Sequence, residues 1–279
     1  MSNIDILKSH NFKFNKAYGQ NFIFDTNFLQ SIIDKIDIEN KTVLEIGAGA
    51  GTLTSIIAKK AKKVVSYEID NNLKDILKEN LSEFNNIEVV FGDIMKFSIE
   101  EIENKLGNEE YVMVANLPYY ITTPIIFKFL ETATKLKSMT IMVQLEVAER
   151  LVASPGSKDY GAITPAIDYR ATAKIIKTVG RHMFTPVPNV DSAIVKIDFE
   201  KDKFKVDNQK ILDDTIKCVF AMRRKTIENN MKTFFKLPSE TINEIVSLAG
   251  IKSGARGETL NTEQLVNLSN IINKYISRW

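Results

Sequence analysis

The sequence predicts an α/β fold, a doubly wound sheet followed by a small all-α domain, and three observations carry that prediction. From about residue 41 to 145, short β-branched runs alternate with longer helical segments, as in a parallel sheet with crossover helices. A glycine-rich turn follows the first run directly. Beyond about residue 200 the strand-like runs end and apolar residues recur at helical spacing.

The strand candidates in order are residues 42–46, 64–68, 87–91, 112–115 and 139–144, each an apolar run too short for a helix and without helical spacing. Residues 173–179 and 193–198, separated by a proline-containing loop, suggest a further antiparallel pair at the sheet edge. These place a first domain at residues 1–200 and a second at 201–279, divided at the charged stretch 200–205. In the second, Ile211, Ile216, Val219 and Phe220 share one helix face, as do Ile242, Ile245, Val246 and Leu248, then Leu265, Leu268, Ile271 and Ile272. Ser239 after Pro238, and Thr262 before Glu263, mark helix starts.

At 279 residues, with 44% hydrophobic and 26% charged, the composition is that of a globular protein with a substantial core. The net charge of +2 hides an asymmetry, because residues 201–279 carry +5 and the rest −3. A basic section suits phosphate contact, although a solvated helical face explains the charge equally well. Lys8, Lys13 and Lys16 make the first segment mildly basic too. Cys218 is the only cysteine and the two histidines, His10 and His182, are isolated, so neither a disulfide framework nor a metal site is expected. No run suits export or membrane spanning, and a cytosolic protein is expected.

Residues 43–51, Val-Leu-Glu-Ile-Gly-Ala-Gly-Ala-Gly, place Gly47, Gly49 and Gly51 between a strand and the helix at 52–60. Glycine lets the backbone turn tightly and approach a ligand closely. The dinucleotide fingerprint fails at its last glycine, because position 52 is Thr, so a pyrophosphate is not indicated. Glu68 ends the next strand, where its carboxylate can accept from a ribose diol. Asp93 follows the third strand and can accept from an adenine amino group. Either carboxylate alone reads better as a turn or helix cap. Three successive strand ends with Gly-rich, acidic and acidic signals resemble the class I, Rossmann-like S-adenosylmethionine methyltransferases.

The fourth strand runs into residues 116–119, Asn-Leu-Pro-Tyr. A purine amino group is a poor nucleophile and must be held with its lone pair aimed at the methyl carbon. The Asn116 side-chain oxygen and the Leu117 carbonyl can each accept one N6–H. Pro118 stiffens the loop and Tyr119 stacks on the base. This is catalysis by positioning, without metal.

Together with residues 18–22 (Tyr-Gly-Gln-Asn-Phe), 45–51, Glu68, Asp93, 154–161, 184–188 (Phe-Thr-Pro-Val-Pro), 190–192 and 223–226 (Arg-Arg-Lys-Thr), the tetrapeptide resembles the small-subunit ribosomal RNA adenine N6-dimethyltransferase family over nearly the whole chain. The resemblance implies S-adenosylmethionine as methyl donor, bound by Asn21, Ile23, Gly47, Glu68, Asp93 and Asn116. It implies that Phe184 sandwiches a flipped adenine against Tyr119, although a lone Phe in a Pro-rich loop reads as a core anchor. It also implies dimethylation of two adjacent adenines in a hairpin near the 3′ end of small-subunit rRNA, in ribosome biogenesis. Arg223, Arg224 and Lys225 are expected to grip RNA phosphates; the bland alternative is a helix C-terminal cap. A monomer meeting rRNA or an assembling small subunit, and no membrane, is the partner expectation. The rivals are a large-subunit methyltransferase of the antibiotic-resistance type, a binding factor that has lost catalysis, and a small-molecule methyltransferase.

Overall fold

The computed structural model describes residues 3–200 and 203–276; residues 201 and 202, within the expected domain boundary, lie outside the described residues. Seven strands, β1 (Thr42–Ile46), β2 (Lys63–Glu68), β3 (Ile87–Phe91), β4 (Tyr111–Asn116), β5 (Leu136–Gln144), β6 (Ala171–Val179) and β7 (Ser192–Phe199), form one sheet in the order β3-β2-β1-β4-β5-β7-β6. The first five pair in parallel and β7 runs antiparallel to β5. All five residues of β1 are buried, as a strand covered on both faces requires, and this is why its sequence lacks in–out alternation.

The crossover helices follow in turn. After α1 (Asn3–Ser9) and α2 (Thr26–Ile33), α3 (Thr52–Ala58) joins β1 to β2 and α4 (Lys74–Asn80) joins β2 to β3. Helices α5 (Ile99–Lys105) and α6 (Thr122–Thr132) complete the parallel units, with α7 (Leu145–Leu151) and α8 (Ile163–Asp168) after β5. Helix α5 begins at a capping box, the Ser98 hydroxyl accepting from the Glu101 N–H (3.1 Å) and the Glu101 carboxylate from the Ser98 N–H (2.6 Å), which satisfies two otherwise orphaned donors. The strand order reverses between β1 and β4, so their carboxyl ends flank the switch point where open α/β sheets bind ligands. Pairing of Ile46 with Ala115 and with Tyr67 brings the turn after β1 beside Asn116 and Glu68.

Four further helices, α9 (Gln209–Phe220), α10 (Ile227–Phe235), α11 (Ser239–Leu248) and α12 (Thr262–Ile276), make the C-terminal part. The chain divides into one compact unit running to Ala148 plus Lys174–Asp198, and a second of Glu149–Ala173 plus the chain from Phe199. Residues 149–173, expected in the first domain, thus pack with the helical one. Tyr160 donates its hydroxyl to the Leu260 carbonyl (2.8 Å) and Tyr169 joins the apolar core of α9–α12. Two expectations shift locally. Leu248 is 60% exposed, because at 3.6 residues per turn it falls beside the face made by Ile242, Ile245, Val246 and Ala249. The cap of α12 is Asn261, whose side-chain Oδ1 accepts from the Gln264 N–H (2.9 Å) while the Gln264 Oε1 accepts from the Asn261 N–H (3.0 Å); Thr262 is already the first helical residue.

Candidate active site

The turn after β1 builds one wall of a cleft. Gly47, Gly49 and Gly51 all adopt positive φ (+83°, +55° and +81°), a region that L side chains avoid. At Gly49 a Cβ would also lie 3.1 Å from the Phe22 ring. The turn is held from below by Glu45, fully buried in β1, whose Oε2 accepts from the hydroxyls of Thr54 in α3 (2.7 Å) and Ser66 in β2 (2.6 Å). Its Oε1 has no hydrogen-bond partner. Burial pushes this carboxyl up to about 7 against the two hydroxyl bonds, and the charge of Glu68 adds to the rise.

Glu68 closes the floor. It is 5% exposed, with Oε2 accepting from Gly49 N–H and Oε1 from Asp70 N–H, each at 2.8 Å. Each carboxylate oxygen retains a second lone pair, so a diol can still donate to it. Burial raises its pKa, the charge of Asp70 adds to the rise, and the backbone N–H groups of Asp70, Gly49 and Ile69 oppose it. Asp93 does what a turn carboxylate does, accepting from Met95 N–H through Oδ1 (2.9 Å), while still lining the cleft. Its loop is pinned by Lys128 of α6, whose ammonium donates to the carbonyls of Ile94 (2.9 Å), Met95 (3.2 Å) and Phe97.

Asn116 ends β4, and its Nδ2 donates to the Asn21 carbonyl (2.9 Å). A carbonyl can only accept, so the amide nitrogen must face it and Oδ1 points the other way. Leu117 is buried, its N–H donating to the Met142 carbonyl (3.2 Å). The following turn bonds to the Pro118 carbonyl from Ile121 N–H (3.2 Å) and the Thr122 hydroxyl (3.1 Å). Tyr119 is half-buried, with its hydroxyl fixed by the Ser192 hydroxyl at 2.8 Å.

Asn21, Gly47, Glu68, Asp93 and residues 116–119 all line this cleft. Ile23 lines an adjoining recess together with Gly47, Gly49 and Asn116. Phe184 is the exception. It is 1% exposed and packs in the core cluster of Ile23, Met142, Val179 and Ile194, so in this structure it anchors the Pro-rich loop and presents no ring to the cleft. The tight pairing of Phe22 with Thr185, N–H to carbonyl in both directions (2.9 and 2.8 Å), holds the neighbouring segment in place.

Gln20 and Phe22 also line the cleft, beside Asn21 in the segment that the resemblance places over the cofactor. Tyr18 and Tyr120, to which the sequence assigned no individual role, line it too. In the helical unit, Arg223, Arg224 and Lys225 are all exposed, but the Arg223 guanidinium donates to the carbonyls of Lys158 (2.6 Å) and Tyr160 (3.4 Å), tying the 154–161 loop to the end of α9. Among the described residues no group of three or more His, Cys, Asp or Glu is placed to hold a metal, and no helix is long and apolar enough to cross a membrane.

A family model described as ribosomal RNA adenine dimethylase matches residues 11–274. The chain is 44% identical to the ribosomal RNA small subunit methyltransferase A of Clostridioides difficile (strain 630), covering 98% of this chain and 96% of that protein. It is 41% identical to the protein of the same name in Geobacillus sp. (strain WCH70), over 96% and 94%. Among solved structures it is similar to a dimethyladenosine transferase from Plasmodium falciparum (TM-score 0.78, 26% identity, 91% of this chain and 98% of that one). It is also similar to the 23S rRNA methyltransferase ErmE (TM-score 0.69, 28% identity, 91% and 100%).

Proposed function

The chain belongs to the ribosomal RNA adenine dimethylase family, and from that premise we propose that it uses S-adenosylmethionine to dimethylate N6 of two adjacent adenines in a hairpin near the 3′ end of small-subunit rRNA. The observation that carries this reading is the Asn116 amide, turned by the Asn21 carbonyl so that its oxygen is available to an N6–H donor. The Leu117 carbonyl takes the second N6–H, since the hydrogen bonds of the turn run to Pro118 instead. With both protons directed, the nitrogen lone pair is oriented before reaction, which is where positioning catalysis acts.

The cleft suits the proposed donor. Glu68 keeps lone pairs for a ribose diol, Asp93 accepts from an adenine amino group, and Asn21, Ile23 and Gly47 surround the methionine end. When bound, S-adenosylmethionine supplies a methyl group on a sulfonium, an electrophile that needs no metal. Tyr119, its hydroxyl tethered by Ser192, offers a ring to the target base; stacking of this kind is worth about 1–3 kcal/mol and offsets the unstacking of a flipped nucleotide. Phe184 completes a sandwich only if the loop that buries it moves. Of residues 1–200, we assign the sheet-bearing unit, to Ala148 with Lys174–Asp198, to cofactor binding and catalysis, and the helical unit to rRNA, with the protein acting as a cytoplasmic monomer. The small-subunit substrate is favoured over the large by the relatives that carry the small-subunit name at 40–44% identity.

Separate roles for two residues test the reading. Asn116→Ala should lower kcat by about 100-fold or more while still binding cofactor. Glu68→Ala should chiefly raise the cofactor Kd. Equal effects of both variants on both quantities would contradict the assignment.

A further inference from the structure

Gln20 has no part in the roles assigned above, yet it is bonded towards both halves of the site. Its Oε1 accepts from the Asn15 N–H and its Nε2 donates to Asp70 Oδ2, both at 2.7 Å. Asp70 is 1% exposed, and its Oδ1 is held by the Asn72 N–H (3.0 Å) and side-chain amide (2.8 Å). Asp70 N–H in turn donates to Glu68. One residue further along the segment, the Asn21 carbonyl receives the Asn116 amide, and the next residue, Phe22, is paired with Thr185. Asn21 is therefore clamped on one side by a side chain and on the other by backbone.

We propose that Gln20 is a positioning residue: by tying its segment to Asp70 it holds the Asn21 carbonyl where that oxygen dictates the orientation of the Asn116 amide. This rests on the adenine-methylating reading. A flipped Asn116 would set Oδ1 against the Asn21 carbonyl, two acceptors face to face, and would present N–H to the N6–H donors of the substrate. The carbonyl thus selects the productive orientation, but only while it stays in place. Released from Asp70, the segment keeps its anchors at Phe22, the pair with Thr185 and the ring packing against Phe12, Phe14 and Phe24, and residues 20 and 21 can pivot about them. The hold on the cofactor ribose depends less on this link, because Glu68 keeps its bonds from Gly49 and Asp70.

Glutamine suits the position because one group both accepts and donates. Glutamate there would face the buried Asp70 carboxylate with no donor between them, whereas asparagine at position 70 would supply the missing N–H and reverse the polarity of the bond. The test uses full-length Gln20→Glu, and the same chain with Asp70→Asn added. At saturating S-adenosylmethionine, Gln20→Glu should lower kcat for dimethyladenosine formation by about tenfold or more, with the cofactor Kd moving less than about threefold. The Asn116 side-chain N–H resonances, identified by their loss in Asn116→Ala, should shift. Adding Asp70→Asn should restore both kcat and resonances. Unchanged kcat and resonances in Gln20→Glu, or no recovery in the double variant, would overturn the proposal. If Gln20→Glu does not fold, Gln20→Met removes both bonds without adding charge and carries the same two expectations. If the unaltered protein makes no dimethyladenosine, the adenine reading fails, while the resonance shift and its recovery still decide the link from Gln20 to Asn116.

Discussion

Glu45, Glu68, Asp93 and Asn116 each stand on or just after a strand, but they divide sharply by burial and partner. Glu45 faces inward from β1 and bonds only to hydroxyls, so its carboxyl is a scaffold for the glycine turn. Its pKa is raised in the fold from the ordinary 4.5 to about 7, so the folded chain holds that proton more tightly than the unfolded one. Its contribution to stability is fully present below pH 4.5 and is lost as the pH rises to about 7. Glu45→Gln should therefore flatten the fall in stability across that window and leave the protein as stable or more so at pH 8, by on the order of 3 kcal/mol at most; denaturant midpoints at pH 5 and pH 8 measure it. An unchanged pH slope would remove Glu45 as its source. At this scale, Glu68, Asp93 and Asn116 were legible because a polar residue at the carboxyl end of a predicted parallel strand has only one place to point. Phe184 was not, since the same Phe in a Pro-rich loop serves a core or a base equally well, and only the packing around it decides. Arg223 was half legible: its charge suggested phosphate, and its carbonyl partners lie about 65 residues away.

The strands and crossover helices follow the hydrophobic pattern closely, with no end moved by more than three residues, because buried parallel strands leave a long apolar run whose limits are set by pairing and not by composition. Loops were harder to read. The Asp93 loop owes its shape to Lys128, 35 residues on, and an exposed-looking lysine in an apolar helix gives no hint of three carbonyl partners. Lys128→Met should release that loop and raise the cofactor Kd by about tenfold with little change in folding stability, whereas Lys128→Arg should recover part of the loss; titration calorimetry with S-adenosylmethionine checks it. In the helical unit, a Cβ at Gly257 would lie 2.4 Å from the Val219 carbonyl oxygen. Gly257→Ala should destabilise that unit by about 2 kcal/mol or more, as overpacking against backbone does, and thermal unfolding reads it. A wild-type Tm would mean that α9 yields more readily than its packing suggests.

For the whole molecule, the change from strand to helical patterning announced a second, basic part, but its true extent was hidden. Residues 149–173 contain no long helical stripe, only the short α8, and what assigns them to the helical unit is long-range bonding such as Tyr160 to Leu260. The +5 charge of residues 201–279 makes a prediction at the same scale. Replacing Arg224 and Lys225 by alanine, with Arg223 left to hold its loop, should weaken rRNA binding and reduce the salt slope by about 1–2; filter binding at several salt concentrations would show it, and an unchanged slope would remove these side chains from the interface. The central claim is the substrate, and the most direct measurement is incubation with labelled S-adenosylmethionine and either unmethylated small subunits or large-subunit rRNA, followed by nucleoside analysis. Dimethyladenosine from the small subunit alone is the expected result, and product from the large-subunit rRNA, or from neither, would contradict it.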